Sequence, residues 1–150
     1  MDIQIKEITN YTPEIKNTIA HFLKLLQGTD SGISDDQLKE IISSENSYLF
    51  FAANTYDVYM GMLTVGIYQS PTGKKAWIED VVVDETFRGQ GIGENLIEFA
   101  IQFARQQQVD ILTLTSSPAR VAANNLYKKI GFQPKETNLY RMSLINDYYV

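Results

Sequence analysis

Three glycines fall within five residues of the stretch Asp84-Glu85-Thr86-Phe87-Arg88-Gly89-Gln90-Gly91-Ile92-Gly93, with an arginine beside them. Glycine opens backbone angles closed to other residues and lets a ligand approach the main chain closely. Where such a stretch leads into a helix, the first amides have no partner within the helix and the helix dipole favours an anion. Arg88 adds a fixed positive charge. This is the chemistry a pyrophosphate needs; the plainer reading is a glycine-rich turn entering a helix. The dinucleotide fingerprint G-x-G-x-x-G does not fit, because its sixth position is Leu96 counted from Gly91 and Glu94 counted from Gly89. The Walker pattern G-x-x-x-x-G-K-[ST] is also missing. A nucleotide-binding domain of either type is therefore disfavoured.

Two other groups carry chemistry. Glu79 and Asp80 sit side by side in the apolar run Trp77-Ile78-Glu79-Asp80-Val81-Val82-Val83. Burying a carboxylate is costly, so the pair needs a reason, and strand alternation would put the two on opposite faces. Further on, Arg120, Asn124 and Tyr127 fall at i, i+4 and i+7, one stripe of a helix whose Ala119, Leu126 and Ile130 pack inward.

Composition narrows the rest. The chain has 150 residues, enough for one domain with a real core. Cysteine is absent, which excludes a disulfide, a cysteine zinc site and a thiolate nucleophile. One histidine, His21, excludes a two-histidine metal site and reads as an ordinary surface or partly buried residue. Thirteen basic against eighteen acidic residues give a net charge of −5, which argues against nucleic acid. The stretch Met1 to Lys6 shows no basic region followed by an apolar one, and no apolar run approaches the ~20 residues of a membrane span. A cytoplasmic location, no membrane partner and no metal are the expectations.

Periodicity supplies the elements that position these groups. Ile3, Ile5 and Ile8 give a strand over 2–8. Thr12-Pro13 opens a helix over 13–26. Ser34-Asp35-Asp36-Gln37 is a capping box for a second, short helix. The runs 48–53, 58–68 and 76–83 read as an antiparallel meander. A helix over 92–107, a buried-type strand over 109–115, a helix over 118–130 ended by Gly131, and a closing strand over 138–145 complete the chain. The order is β-α-α-β-β-β-α-β-α-β: a single α/β (α+β) domain over 1–150, with a mixed central sheet flanked by helices. Strands 76–83 and 109–115 are expected to run parallel.

With the motif placed between a strand and a helix, Arg88-x-x-Gly91-x-Gly93 resembles the acyl-CoA-binding motif of the GCN5-related N-acetyltransferase (GNAT) family. A second segment, Ala123-x-x-Leu126-Tyr127-x-Lys129-x-Gly131-Phe132, resembles that family's A-x-x-[LF]-Y-x-K-x-G-F. Both motifs in the right order, with the element order, cover nearly the whole chain. The resemblance implies acetyl-CoA as co-substrate. The backbone around Val81, Val82 and Val83 would meet the pantetheine arm. The amides of Arg88, Gly89, Gln90, Gly91, Ile92 and Gly93 would hold the phosphates. Many members carry asparagine where this chain has Arg120, so that contact is in doubt, and Asn124 is a weaker cofactor candidate.

The resemblance also implies a reaction. A primary amine is protonated near neutral pH and needs a base before it can attack. Glu79, nine residues before Arg88, is the first choice, directly or through water, and Asp80 the second; a polar edge or a structural acid is the competing explanation. Tyr127 matches the family's proton donor to the departing thiolate, a sensible match of a phenol of pKa ~10 to a thiol of ~8–10; its competing reading is a core aromatic. Transfer would be direct, in a ternary complex, with a backbone amide near Val81–Val83 facing the oxyanion. The acceptor would be a small-molecule or protein amine. Asp30, Asp35 and Asp36 lean towards a cationic one, and equally read as loop and cap residues. Tyr140-Arg141 and Tyr148-Tyr149 are candidates for the acceptor site or a homodimer contact. The alternative function is a non-catalytic acyl-CoA-binding regulatory or sensor domain of the same fold.

Overall fold

The computed structural model describes residues 2–30 and 32–145. β1 (Gln4–Glu7) leads into α1 (Pro13–Gln27). Thr12 caps α1 as expected: its Oγ1 accepts from the Ile15 amide at 3.1 Å. Pro13 takes the first turn, where a missing N–H costs nothing, and Gly28 ends the helix at φ 76°. In α2 (Asp35–Ser43) the capping box is complete. Ser34 Oγ accepts from the Gln37 amide at 3.1 Å, and Gln37 Oε1 accepts from the Ser34 amide at 3.0 Å.

β2 (Ser47–Ala53), β3 (Tyr59–Ser70) and β4 (Gly73–Val83) form the expected meander, and β1 adds antiparallel to β2. α3 (Ile92–Gln106) is the crossover to β5 (Ile111–Thr113), which runs parallel to β4. The sheet order is β1-β2-β3-β4-β5. Asp110 fixes the start of β5. Its Oδ2 accepts from the Lys74 amide at 2.9 Å, and its own amide donates to the Lys74 carbonyl at 2.8 Å. Gly73 permits that approach, since a Cβ there would lie 2.7 Å from Asp110 Oδ2.

Both faces of the sheet are covered. Leu49, Phe51, Met62 and Val82 pack with Ile15, Ile19 and Phe22 of α1 and with Leu38 of α2. The intervening Phe50 points the other way and meets the rings of Phe99 and Phe103 on α3 at 4.9 and 5.0 Å. This double covering explains why β2 reads as a continuous apolar run rather than an alternation. Phe22 is fully buried, so truncating it to alanine should cost about 3–5 kcal/mol.

By its contacts the chain divides into two compact units, Met1–Thr115 and Ser116–Val150. The whole sheet belongs to the first. The second holds α4 (Val121–Ile130), ended by Gly131 as expected. Three expectations need correction. α4 begins at Val121, so Ala119 precedes the helix and is exposed instead of packing inward. β5 has three paired residues rather than seven, and Ile111 is exposed. Residues 138–145 form no strand. Leu139, Tyr140, Met142 and Leu144 are all exposed there, so neither side of the stretch has the buried face that would offset the entropy of extending it.

Candidate functional site

The site grows from a mismatch in length between β4 and β5. Their ladder covers only Lys75–Trp77 against Ile111–Thr113. Beyond Trp77, residues 78–83 of β4 pair with β3 on one side and, among the described residues, with no strand on the other. Asp84 N–H donates to the Met60 carbonyl at 2.8 Å, which makes the adjacent Gly61–Val83 pair the kind without mutual hydrogen bonds. The N–H and C=O of Val83 therefore point to the open edge. Val81, two residues earlier on the same strand, points the same way. Val82 points its backbone towards Met62 and its side chain into the core, and so anchors its two neighbours.

The register between β3 and β4 slips between Met62 and Thr64. Glu79 opposes Thr64 and Val82 opposes Met62, so Asp80 and Val81 together face Leu63. This is a β-bulge, and Asp80 takes the left-handed conformation at φ 54°. Such a conformation is costly for a side chain with a Cβ and collects at functional sites. The bulge overturns the simple alternation expected for Glu79 and Asp80. Nor are the two acids buried: both reach solvent. Enough protein nonetheless surrounds the Glu79 carboxyl that partial burial, with the Asp80 charge adding to it, holds its pKa above the ordinary glutamate value.

After Val83 the chain makes one 3₁₀ turn (Glu85–Phe87) and enters the glycine segment. Asp84 starts the turn, its Oδ1 accepting from the Thr86 amide at 2.9 Å. Arg88 ends it and sends its Nε to the Val83 carbonyl at 3.2 Å. Arg88 thus braces the strand end as well as bringing charge. Gly89 and Gly91 lie at φ 79° and 81°, which glycine alone adopts cheaply. Gly91 is the N-cap of α3 and provides no side-chain cap. The first turn of α3 therefore lacks the side-chain acceptor that usually satisfies its amides. Gly89, Gln90 and Gly91 are exposed, while Ile92 is buried under the sheet and fixes the helix start. Gly93 lies close to β4; a Cβ there would touch Val83 Cγ2 at 3.7 Å. Open edge and uncapped helix end are consecutive, so one extended ligand can meet both. These residues fit a pantetheine arm followed by a diphosphate.

Sequence reasoning missed one contact. His21 on α1 sets its Nε2 2.6 Å from Asp84 Oδ2. Burial alone would raise the Asp84 pKa, but the Thr86 amide and His21 outweigh it and hold the carboxyl below the ordinary aspartate value. The spacing Asp84-x-Thr86 is a local signal for the turn. No local signal points from Asp84 to His21.

In the second unit, Tyr127 is buried on α4, its ring 6.1 Å from that of Phe132. The Asn124 side-chain amide donates to the Ser117 carbonyl at 3.0 Å. Arg120 is the exposed N-cap of α4. Tyr140 and Arg141 are exposed, and Tyr148 and Tyr149 lie outside the described residues. Back in the first unit, Asp35 pairs with Lys16 at 2.7 Å and accepts from the Tyr11 hydroxyl at 2.9 Å, while Asp30 pairs with Lys24 at 3.3 Å. Two of the three acids thought to attract a cation are thus matched locally. Among the described residues no helix is long and apolar enough to cross a membrane.

Comparisons with known proteins bear on the same regions. A family model described as "Acetyltransferase (GNAT) family" matches residues 18–132. Streptothricin acetyltransferase of Escherichia coli is 44% identical over 57 residues, 38% of this chain and 33% of that one. The chain spans about a quarter to a half of the length of the curated relatives it matches. A solved structure titled as a transcriptional regulator from Bacillus halodurans C-125 superposes with a TM-score of 0.79 at 26% identity, covering 95% of this chain and all of that one. An aminoglycoside acetyltransferase from an uncultured soil metagenomic sample, in complex with sisomicin, superposes with a TM-score of 0.82 at 19% identity, covering 96% and 97% of the two chains.

Proposed function

The chain belongs to the GNAT family of acetyltransferases, and from that premise we propose that it transfers an acetyl group from acetyl-CoA to a primary amine of a small molecule or protein. One observation carries the reading: the edge of β4, unpaired beyond Trp77 among the described residues, leads through one 3₁₀ turn and the glycine segment into an α3 N-terminus without a side-chain cap. Acetyl-CoA would bring the activated thioester. The backbone groups of Val81 and Val83 would hold the pantetheine arm and the amides from Gly89 to Gly93 the diphosphate, with the helix dipole in support. The Arg88 amide is instead given to the Glu85 carbonyl at 3.4 Å, so Arg88 would contribute its charge. Asn124 is a secondary cofactor contact in this reading.

Glu79 would take the proton from the acceptor ammonium, directly or through one water. Its raised pKa brings it closer to that of the group it must deprotonate, which suits a base. Asp80 is the second choice for the base and already assists by its charge. A backbone amide of the strand after the bulge, near Val81–Val83, would face the carbonyl oxygen where negative charge develops. Tyr127 would hand its proton to the departing sulfur. The chain has no cysteine to carry an acyl-enzyme thioester, which favours direct attack by the amine in a ternary complex.

The test is thiol release from acetyl-CoA across a panel of polyamines, aminoglycosides, amino acids and peptides. Release that depends on one class of amine, with acetylated product by mass spectrometry, is the expected result. Tight binding of CoA with no acylation anywhere in the panel would favour the second reading, a regulatory acyl-CoA-binding domain. The likeness to a structure titled as a transcriptional regulator speaks for that reading. The paired Asp30 and Asp35 weaken the case for a cationic acceptor, so neutral and anionic amines belong in the panel.

A further inference from the structure

We propose that His21 is a positioning residue for the diphosphate-binding loop, acting through Asp84. Every polar group of Asp84 is engaged. Its amide donates to Met60 at 2.8 Å, its carbonyl accepts from Phe87 at 2.9 Å, and its two carboxylate oxygens take the Thr86 amide and His21 Nε2. Asp84 is thus where β4 ends, where the 3₁₀ turn begins, and where α1 is tied to both. Its side chain is 17% exposed, so water competes poorly for the carboxylate.

The imidazole sits on a rigid support. His21 immediately precedes Phe22, which is fully buried, and its ring also lies 5.9 Å from the Phe22 ring. Downstream of Asp84 the main chain passes Gly89 and Gly91, both at positive φ and both exposed. A segment with so little stiffness of its own takes its position from its ends. Helix α3 fixes one end through buried Ile92. The other end is the turn that Asp84 starts, and His21 holds it across 63 residues of sequence. A loop held at both ends binds the diphosphate with less ordering cost than a loop held at one.

This inference rests on the cofactor reading above, so the experiment separates the two. CoA itself is titrated calorimetrically into the wild-type protein, His21→Phe and His21→Gln, with melting temperatures measured alongside. His21→Phe keeps a ring beside Phe22 and removes the donor; His21→Gln keeps an N–H donor of similar reach and removes the ring. The expected result is an affinity for CoA about three- to tenfold weaker in His21→Phe, the worth of one partly exposed charge-assisted hydrogen bond, and within twofold of wild type in His21→Gln. Asp84→Asn should also weaken CoA binding. Equal binding by His21→Phe and wild type overturns the positioning role alone. Weak binding by His21→Gln with normal binding by His21→Phe overturns it in favour of ring packing. No binding of CoA to the wild-type protein overturns the cofactor reading and this inference with it.

Discussion

Gly91 and Gly93 stand two residues apart at the start of α3, and alanine should act in opposite directions at the two. Gly91 has φ 81°. A Cβ in the left-handed region costs about 1–2 kcal/mol. Its nearest neighbour would be Asn95 Nδ2 at 3.9 Å, an ordinary contact, so no clash adds to that cost. At about 2–4 °C per kcal/mol for a chain of this size, Gly91→Ala should lower the melting temperature by about 2–8 °C. Gly93 is helical, and its added methyl would meet Val83 Cγ2 at 3.7 Å, again ordinary contact. Helix propensity there favours alanine by up to about 1 kcal/mol, so Gly93→Ala should leave the melting temperature unchanged or raise it by up to about 4 °C. Thermal melts followed by circular dichroism, with and without CoA, measure both effects. Added CoA should raise the melting temperature of the wild type and Gly93→Ala, and raise that of Gly91→Ala less, because the altered loop no longer presents its amides together. A Gly91→Ala protein that melts at or above the wild type, or a Gly93→Ala protein less stable than Gly91→Ala, would refute the backbone reasoning for this loop.

The reacting groups give further predictions. Glu79→Gln should lower kcat/KM by about 10²–10⁴ while CoA affinity, measured by calorimetry, stays within twofold; unchanged turnover would remove Glu79 as the base. The base works deprotonated, and burial and the Asp80 charge both raise its pKa, so the acid limb of the kcat/KM profile should lie above the ordinary glutamate value of 4.5. Asp80→Asn removes one cause, and the limb should move to lower pH; a limb that stays in place contradicts the coupling. Tyr127→Phe keeps the ring contact with Phe132 and removes the hydroxyl. It should lower kcat by about a hundredfold with little change in melting temperature, and a fall of less than threefold would leave Tyr127 a core aromatic only.

What was legible in the sequence was local. The N-terminal caps of α1 and α2 could be named in advance because Thr12, Ser34 and Gln37 act on partners three residues away. The glycine segment was legible for the same reason: Gly89 and Gly91 do need positive φ. The features that shape the candidate site were not local. An alternating pattern cannot reveal an inserted residue, so the bulge at Asp80 was invisible, and it falls on an aspartate rather than a glycine. The apolar run over 109–115 looks like a full strand, but how much of it pairs is decided by β4, and the short ladder is what opens the edge. The closing strand expected over 138–145 likewise rests on a stretch able to be a strand, and it forms none. His21 and Asp84 meet across 63 positions, and Asp30 and Asp35 find lysines on α1 that charge counting along the chain does not foresee.

The central claim is that main-chain amides between Arg88 and Gly93 grip the diphosphate of CoA. Backbone amide NMR spectra of the ¹⁵N-labelled protein, recorded during titration with CoA and separately with pantetheine, which lacks the diphosphate, test it most directly. The amides from Gly89 to Gly93 should shift with CoA and stay still with pantetheine, while those of Val81 and Val83 respond to both. Saturating CoA that leaves the Gly89–Gly93 signals unmoved while perturbing others would contradict the account.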